Sequence, residues 1–115
     1  MRKLKRNECA VLPLVLKSQW YYMIASGKKR EEYRDEGEYW NTRIGNWSDK
    51  RGPHVVEFRC GYGKNAPKMW FTVGGVFFRM SAHTHTWGEP TWPHFAIVLK
   101  ERVELWRDAE EGGEK

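Results

Sequence analysis

The sequence predicts one α+β domain, a small mixed barrel of five or six short strands with two short helices near the N-terminus. The chain has 115 residues, the size of a single compact domain. Its 40% hydrophobic and 30% charged residues, with a mean hydropathy of −0.79, are typical of a globular fold rather than a disordered or membrane-embedded chain. Short apolar segments alternate with turns rich in Gly and Pro. We divide the chain into a basic arm (1–10), the domain (11–107) and an acidic, disordered tail (108–115).

The predicted elements of the N-terminal half alternate between strand and helix. They are a strand over 11–17, a helix over 19–26, a strand over 30–34 and a helix over 36–44. Pro13 places the first strand at a sheet edge, since proline cannot donate to a ladder. Ser18 is the expected N-cap of the first helix, and Gly27 and Gly45 are expected to end the two helices.

The C-terminal half is predicted to be mostly extended. A strand over 55–60 leads into a turn over 61–67 that contains two glycines and a proline. Gly74-Gly75 then separates 69–73 from 76–80, as either a tight hairpin or a bulge in one long strand. A loop over 81–93 precedes the last strand, over 95–106.

The charge balance favours a polyanionic partner. Lys and Arg number 20 against 15 Asp and Glu, and the last eight residues hold four of these acids. The remainder carries 19 basic and 11 acidic residues together with all seven Trp. A basic, aromatic-rich body is typical of proteins that bind nucleic acid. Trp is rarely buried completely, so some of these rings are expected at the rim of a cleft.

The cysteines and the apolar segments of the sequence favour a cytoplasmic location. Cys9 and Cys60 form no CxxC pair, which favours a reducing cytoplasm over a disulfide framework. The apolar stretch over 10–16 follows a basic start, but it is short, contains Pro13 and lacks a cleavage site, so we interpret it as a strand. No run is long enough to span a membrane. We expect a cytoplasmic monomer that does not associate with membranes.

The densest chemistry lies in the segment Gly27 to Arg34, with the spacing G-x-K-x-x-E-x-R. Gly27 allows a sharp turn that presents Lys29 at a helix-to-strand corner. Glu32 and Arg34, two residues apart on a strand, project from the same face. The Lys29 ammonium, the Glu32 carboxylate and the planar Arg34 guanidinium then converge on one patch. Such a patch suits a ligand with a phosphate and a base edge. The alternative is a solvated charged strand on which Glu32 and Arg34 pair with each other.

An ordered set of further segments surrounds this motif. They are Leu14-Val15-Leu16-Lys17, Trp20, Tyr39-Trp40 with Arg43, Gly61-Tyr62-Gly63-Lys64-Asn65-Ala66-Pro67 and Trp87-Gly88-Glu89-Pro90. With the G-x-K-x-x-E-x-R motif, this set resembles the ASCH domain family of PUA-like β-barrels, most closely its short bacterial and bacteriophage members. The resemblance runs from about Leu12 to Val103.

The resemblance implies a nucleic-acid-binding cleft, with RNA favoured over DNA and no cofactor. It implies that Lys29 contacts a phosphate, that Glu32 accepts a hydrogen bond from a base, and that Arg34 contacts a phosphate or holds Glu32. Aromatic residues after the motif and in the loops offer stacking faces. The candidate nucleic-acid-binding residues are Lys29, Glu32, Arg34, Tyr39, Trp40, Arg43, Tyr62, Lys64 and Trp87. We assign Trp20 and Trp70 to the core.

An enzymatic alternative also follows from the resemblance, although a binding module is favoured. Some similar proteins are amidohydrolases of N4-acetylcytidine that use a Lys, a Thr and a Glu. Lys29 matches the Lys, but Glu32 stands at the Thr position, and the chain shows no equivalent of the helical insertion that carries the Glu. Without a hydroxyl nucleophile, Glu32 acting as general base on water, with Lys29 stabilising an oxyanion, remains open. Other relatives are associated with cleavage of RNA.

Two further interpretations have less support in the sequence. A protein-interaction domain is compatible with the resemblance, but no dedicated motif indicates it. His83, His85 and His94 have partial metal-ligand spacing, but no acid or Cys stands at ligand distance along the chain. We therefore predict no metal.

Overall fold

One curled, mixed sheet of six strands, with two helices packed against it, makes up the part of the chain that the structure describes. A computed structural model describes residues 1–106, so the predicted acidic tail over 108–115 lies outside the described residues. The elements are β1 (Lys3–Lys5), a 3-10 turn (Arg6–Glu8), β2 (Ala10–Leu16), α1 (Ser18–Ala25), β3 (Glu31–Asp35), α2 (Glu38–Ser48), β4 (His54–Cys60), β5 (Lys68–Arg79) and β6 (His94–Trp106). The predicted α+β class, with six strands and two helices, is confirmed for this part of the chain.

The long last strand, β6, organises the sheet. Its first half pairs with β3 and its last three residues pair with β1, while β5 runs along the other edge. The sheet continues from β5 through β4 to β2. The β2–β4 and β1–β6 pairs are parallel and the others antiparallel. The curled sheet is compatible with a small barrel-like fold, and the segment predicted as an N-terminal arm contributes β1 to it.

The core lies inside the curl of the sheet. Leu12, Leu14 and Leu16 are buried at alternate positions of β2, as the period of a half-buried strand requires. Ile24 of α1 and Ile44 of α2 pack into the same cluster, so both helices cover this side of the sheet. A smaller cluster of Val55, Val103 and Leu105, against which Trp70 packs, lies where β6 meets β1.

Three local details refine the predicted elements. Helix α1 begins at Ser18, and the N-cap is Lys17 rather than Ser18, because the Lys17 carbonyl already accepts from Trp20 and Tyr21. Helix α2 continues past Gly45 to Ser48, because Trp47 is buried and its indole donates to the Ala10 carbonyl at 2.9 Å. Of the two interpretations of Gly74-Gly75, the structure has one long strand with irregular register between Phe71 and Gly75.

None of the helices in residues 1–106 is long and apolar enough to cross a lipid bilayer.

Candidate functional site

The sheet curls without closing, and a cavity of about 550 Å³ lies at the open seam. Among the described strands, β2 pairs only with β4, and β3 pairs only with β6. The end of β2, the start of α1, the motif segment, the turn after β4 and the loop before β6 all contribute to the walls. The lining residues are Val15, Leu16, Lys17, Trp20, Lys29, Glu32, Tyr33, Arg34, Gly61, Tyr62, Trp87, Gly88 and Pro90.

Lys29 lines this cavity from a buried position in its wall. Gly27 has φ +84, a left-handed conformation suited to glycine, and it turns the chain from α1 toward β3. The Lys29 side chain is buried, and the residue is 2% exposed. Its Nζ lies 3.3 Å from Glu32 Oε1, donates to the Glu31 carbonyl and sits 4.3 Å from the centroid of the Tyr33 ring. Burial lowers the pKa of Lys29, and the Glu32 carboxylate opposes that effect.

Glu32 connects the two cations of the motif. Its Oε2 lies 3.1 Å from Arg34 Nη2, while Oε1 faces Lys29. Arg34 Nη2 also donates to the Val15 carbonyl at 3.2 Å, which bridges β3 to the open edge of β2. Glu32 and Arg34 therefore share one face, as their spacing predicts, and they also pair with each other. The pair lies in the cavity wall, where Glu32 is buried, so it is not the solvated charged strand of the alternative interpretation.

Helix α2 adds a cluster of aromatic and guanidinium groups beside the cavity. The Arg34 guanidinium lies 5.0 Å from the centroid of the Trp40 ring, and that of Arg43 lies 5.4 Å from the same ring. Arg43 also donates to the Tyr39 hydroxyl at 2.8 Å. Trp40, Arg43 and Tyr39 thus continue outward from Arg34 but do not line the cavity. Lys64 is exposed on the turn after β4 and does not line it either.

The mouth of the cavity carries aromatic side chains on two separate loops. Tyr62 is 86% exposed on the turn after β4. Arg59 holds this turn by donating to the carbonyls of Gly61 and Gly63. Trp87 contributes to the wall from the loop over 81–93. The mouth therefore presents aromatic surface on which a flat ligand can stack.

Trp20 is in the cavity wall, which corrects its assignment to the core. The ring is half-buried and lies against Gly88, where an added Cβ would come 2.6 Å from Trp20 Cη2. Gly88 also has φ +74, so both its conformation and this close approach require glycine. The helical spacing of Trp20, Met23 and Ile24 indicates a buried face, but it does not distinguish a core face from a cavity wall.

Sequence reasoning also missed Lys17 and Tyr33 as lining residues. Lys17 is exposed at the mouth, and its position between a strand and a helix is the only signal that the sequence offers. Tyr33 lies beneath Lys29, and its hydroxyl donates to Glu31 Oε1 at 2.9 Å.

A buried ionic network fixes the loop that carries Trp87 and Gly88. The Glu89 side chain is fully buried and accepts from Arg79 Nη1 at 2.9 Å, from the Thr84 backbone N–H at 2.8 Å and from the His83 backbone N–H. Its Oε2 also lies 2.9 Å from His94 Nε2. Arg79 in turn binds both carboxylate oxygens of Glu31 on β3, at 2.7 and 3.0 Å. These bonds join the loop over 81–93 to the sheet behind the cavity.

The three histidines considered as metal ligands, His83, His85 and His94, belong to this network or to the surface of the loop. The other ring nitrogen of His94 lies 2.6 Å from the Trp92 carbonyl, so both of its nitrogens contact protein groups. His83 is exposed. Within residues 1–106, no three His, Cys, Asp or Glu side chains are grouped so as to hold a metal ion.

Comparison of the chain with protein-family models, with curated proteins and with solved structures finds no match. The function is therefore inferred from the geometry and charge of the cavity.

Proposed function

We propose that this protein binds single-stranded nucleic acid, with RNA preferred, by taking one nucleotide into the cavity between β2 and β3. The observation that carries the proposal is the composition of the cavity wall. Among the described residues that line the wall, four aromatic residues stand beside three cations, Lys17, Lys29 and Arg34, and Glu32 supplies the only carboxylate. Aromatic rings offer stacking faces to a base, and the excess of positive charge suits a phosphate. The resemblance to ASCH domains, and with it the finer assignment of a PUA-like barrel, agrees with this proposal.

The size and the separation of these features fit one nucleotide. A volume of about 550 Å³ falls in the range of pockets that enclose small organic ligands, about 300–1,000 Å³. Lys29 is buried deep in the wall, whereas Lys17 is exposed at the mouth. A phosphate that remains in solvent reaches Lys17 more readily than Lys29. We therefore assign the phosphate contact to Lys17, and we assign to Lys29 the role of neutralising the buried Glu32 carboxylate within the cavity wall.

The adjacent residues can extend the binding surface beyond one nucleotide. Stacking of a base on an aromatic side chain is worth about 1–3 kcal/mol and tolerates any base. Tyr62 offers such a face at the mouth, and Tyr39 offers another on α2. Arg43, whose guanidinium lies within 5.5 Å of the ring centroids of both Tyr39 and Trp40, adds a cation along the same path.

The salt dependence of RNA binding tests this proposal. Each phosphate contact to a single strand contributes about −0.7 to the slope of log K against log salt. We expect a fluorescently labelled ten-nucleotide RNA to bind with a clearly negative slope, and Lys17→Ala to weaken binding and make that slope shallower by about 0.7. Fluorescence anisotropy at four salt concentrations measures both quantities, and a DNA of the same sequence measures the preference for RNA.

Lys50→Ala is the matched control, because Lys50 is exposed after α2 and does not line the cavity. We expect this variant to retain the wild-type affinity to within about twofold. Absence of RNA binding at low salt, or an affinity independent of salt, would contradict the proposed function.

A second candidate function, hydrolysis of an acylated nucleoside, is favoured by one observation. Burial lowers the pKa of Lys29, and its Nζ lies 3.3 Å from the Glu32 carboxylate in a cavity of suitable size. In this mechanism Glu32 removes a proton from water, the hydroxide adds to the acetyl carbon, and Lys29 stabilises the oxyanion that forms. The C–N bond then breaks, and Glu32 returns the proton to the departing exocyclic nitrogen, which leaves acetate and cytidine. Incubation with N4-acetylcytidine should then release acetate and cytidine, detected by chromatography. Lys29→Met and Glu32→Gln should each abolish the release, and no release by the wild type would exclude this candidate reaction.

A further inference from the structure

The cavity presents one guanidinium whose position is fixed but whose donors are only partly used. Arg34 is held from three sides, by Glu32 Oε2, by the Val15 carbonyl and by the ring of Trp40. Both polar contacts use the same nitrogen, Nη2. Within the described residues Nη1 has no hydrogen-bond partner, and Nε is buried without one. Because Nε is out of reach of solvent, Nη1 is the nitrogen that can donate to an occupant of the cavity.

The acceptors around Arg34 are, by contrast, already engaged. Glu32 Oε1 is paired with Lys29 and Oε2 with Arg34, while the Val15 carbonyl accepts from Arg34. The Glu32 side chain is also only 7% exposed, which limits its access to a further donor. Beside Arg34 the cavity wall therefore offers a charged donor, while the nearest carboxylate, that of Glu32, is shielded and already holds two cations.

We infer that the cavity selects a nucleobase with a ring carbonyl (an oxo base such as uracil, guanine or hypoxanthine) over the corresponding base with an exocyclic amino group. The inference rests on the proposed function and concerns the chemical class of its ligand. An oxo group accepts from Arg34 Nη1. An amino group at the same position faces a cation and finds no acceptor, so it is left buried and unpaired. Hydrogen bonds to charged groups and unpaired buried donors each correspond to changes in affinity of about five- to 150-fold.

Hypoxanthine and adenine form the best matched pair of probes, because they differ mainly in carrying an oxo or an amino group at one ring position. Each is placed as the only base in a five-nucleotide RNA whose other four positions are abasic, so that one base alone can enter the cavity. Isothermal titration or anisotropy competition measures both affinities on the full chain. We expect the hypoxanthine RNA to bind at least tenfold tighter than the adenine RNA.

The variant Arg34→Lys tests whether Arg34 is responsible for this preference. Lysine keeps the positive charge but lacks the second terminal nitrogen, Nη1, that donates to the oxo group. The tenfold preference should therefore fall below threefold. Arg51→Lys is the control, because Arg51 is exposed after α2 and does not line the cavity, and it should keep the full preference. The thermal unfolding midpoint of each variant is measured first. If Arg34→Lys does not fold, the comparison of the two probes on the wild-type protein is the test of the inference.

The outcomes separate the inference from the function on which it rests. Equal affinity for the two probes, or tighter binding of the adenine RNA, overturns the inference and leaves nucleic-acid binding intact. Binding of an ordinary ten-nucleotide RNA without binding of either probe also overturns it, because the cavity then does not take a single base. Failure of the ten-nucleotide RNA to bind overturns the proposed function itself.

Discussion

Glu89→Ala is expected to lower the free energy of unfolding by about 3–5 kcal/mol, the cost of breaking a buried ion pair by removing one partner. The Glu89 side chain is fully buried, and four donors converge on it. Removing the carboxylate leaves the backbone N–H groups of His83 and Thr84 and a nitrogen of His94 without their acceptor. Urea unfolding followed by Trp fluorescence measures the change.

Glu104→Ala provides the control for this experiment, since Glu104 is exposed on β6 and surface substitutions usually change stability by less than about 0.5 kcal/mol. A loss below about 1 kcal/mol for Glu89→Ala would show that the network does not stabilise the fold. RNA binding should weaken in parallel, because the loop over 81–93 contributes Trp87 and Gly88 to the cavity wall.

The stability that the Glu89 carboxylate contributes should also depend on pH. Burial alone would raise the pKa of Glu89, but hydrogen bonds from Arg79, His94 and the two backbone N–H groups lower it to about 2. A lowered carboxylate pKa stabilises the folded state above the ordinary pKa of 4.5, and this stability is lost as the pH falls toward 2. As the pH falls from 4.5 toward 2, the difference in the free energy of unfolding between wild type and Glu89→Gln should therefore shrink by on the order of 3 kcal/mol.

The second large effect is expected at Glu32, which is paired with both Lys29 and Arg34. Glu32→Gln should destabilise the fold by about 3–5 kcal/mol, because it leaves the buried Lys29 ammonium without a countercharge. Lys29→Met should cost less, below about 2 kcal/mol, because Met fills a similar volume and Glu32 keeps its partner Arg34. The asymmetry between the two single variants is the specific prediction.

A double-mutant cycle checks that the two side chains act together. Once Glu32 is neutral, replacing Lys29 by Met removes an unpaired buried charge, so the double variant should be more stable than Glu32→Gln alone. Urea unfolding of the four proteins gives the coupling free energy. Strictly additive changes in the free energy of unfolding would contradict the assignment of Glu32 as the central partner. A larger loss of stability for Lys29→Met than for Glu32→Gln would contradict it as well.

The secondary-structure elements and the geometry of the G-x-K-x-x-E-x-R motif were the parts of this protein most predictable from the sequence. Local rules are sufficient there: period-two burial marks β2, Gly27 marks the end of α1, and spacing places Glu32 and Arg34 on one face. The confirmed α+β class follows from those elements. The extension of α2 beyond Gly45 was not predictable in this way, because it depends on Trp47 reaching the Ala10 carbonyl of a distant strand.

The cavity was only partly predictable, for a related reason. Of the candidate nucleic-acid-binding residues, Lys29, Glu32, Arg34, Tyr62 and Trp87 line it, whereas Tyr39, Trp40, Arg43 and Lys64 do not. A residue becomes part of the wall when segments distant in sequence pack together, as Trp20 does against Gly88. Glu89 looks like an ordinary charged loop residue in the sequence, and only the folded chain shows that Arg79 and His94 surround it.

The open seam between β2 and β3 has a mechanical consequence. The two strands share no backbone ladder, and the Arg34 side chain bridges them through the Val15 carbonyl. Spreading the strands therefore breaks side-chain contacts and leaves each strand's own backbone pairing intact. Regions joined in this way open at lower free energy than paired core strands. The free energy needed to part the domain along this line should therefore be smaller than that needed to separate any two of its paired strands.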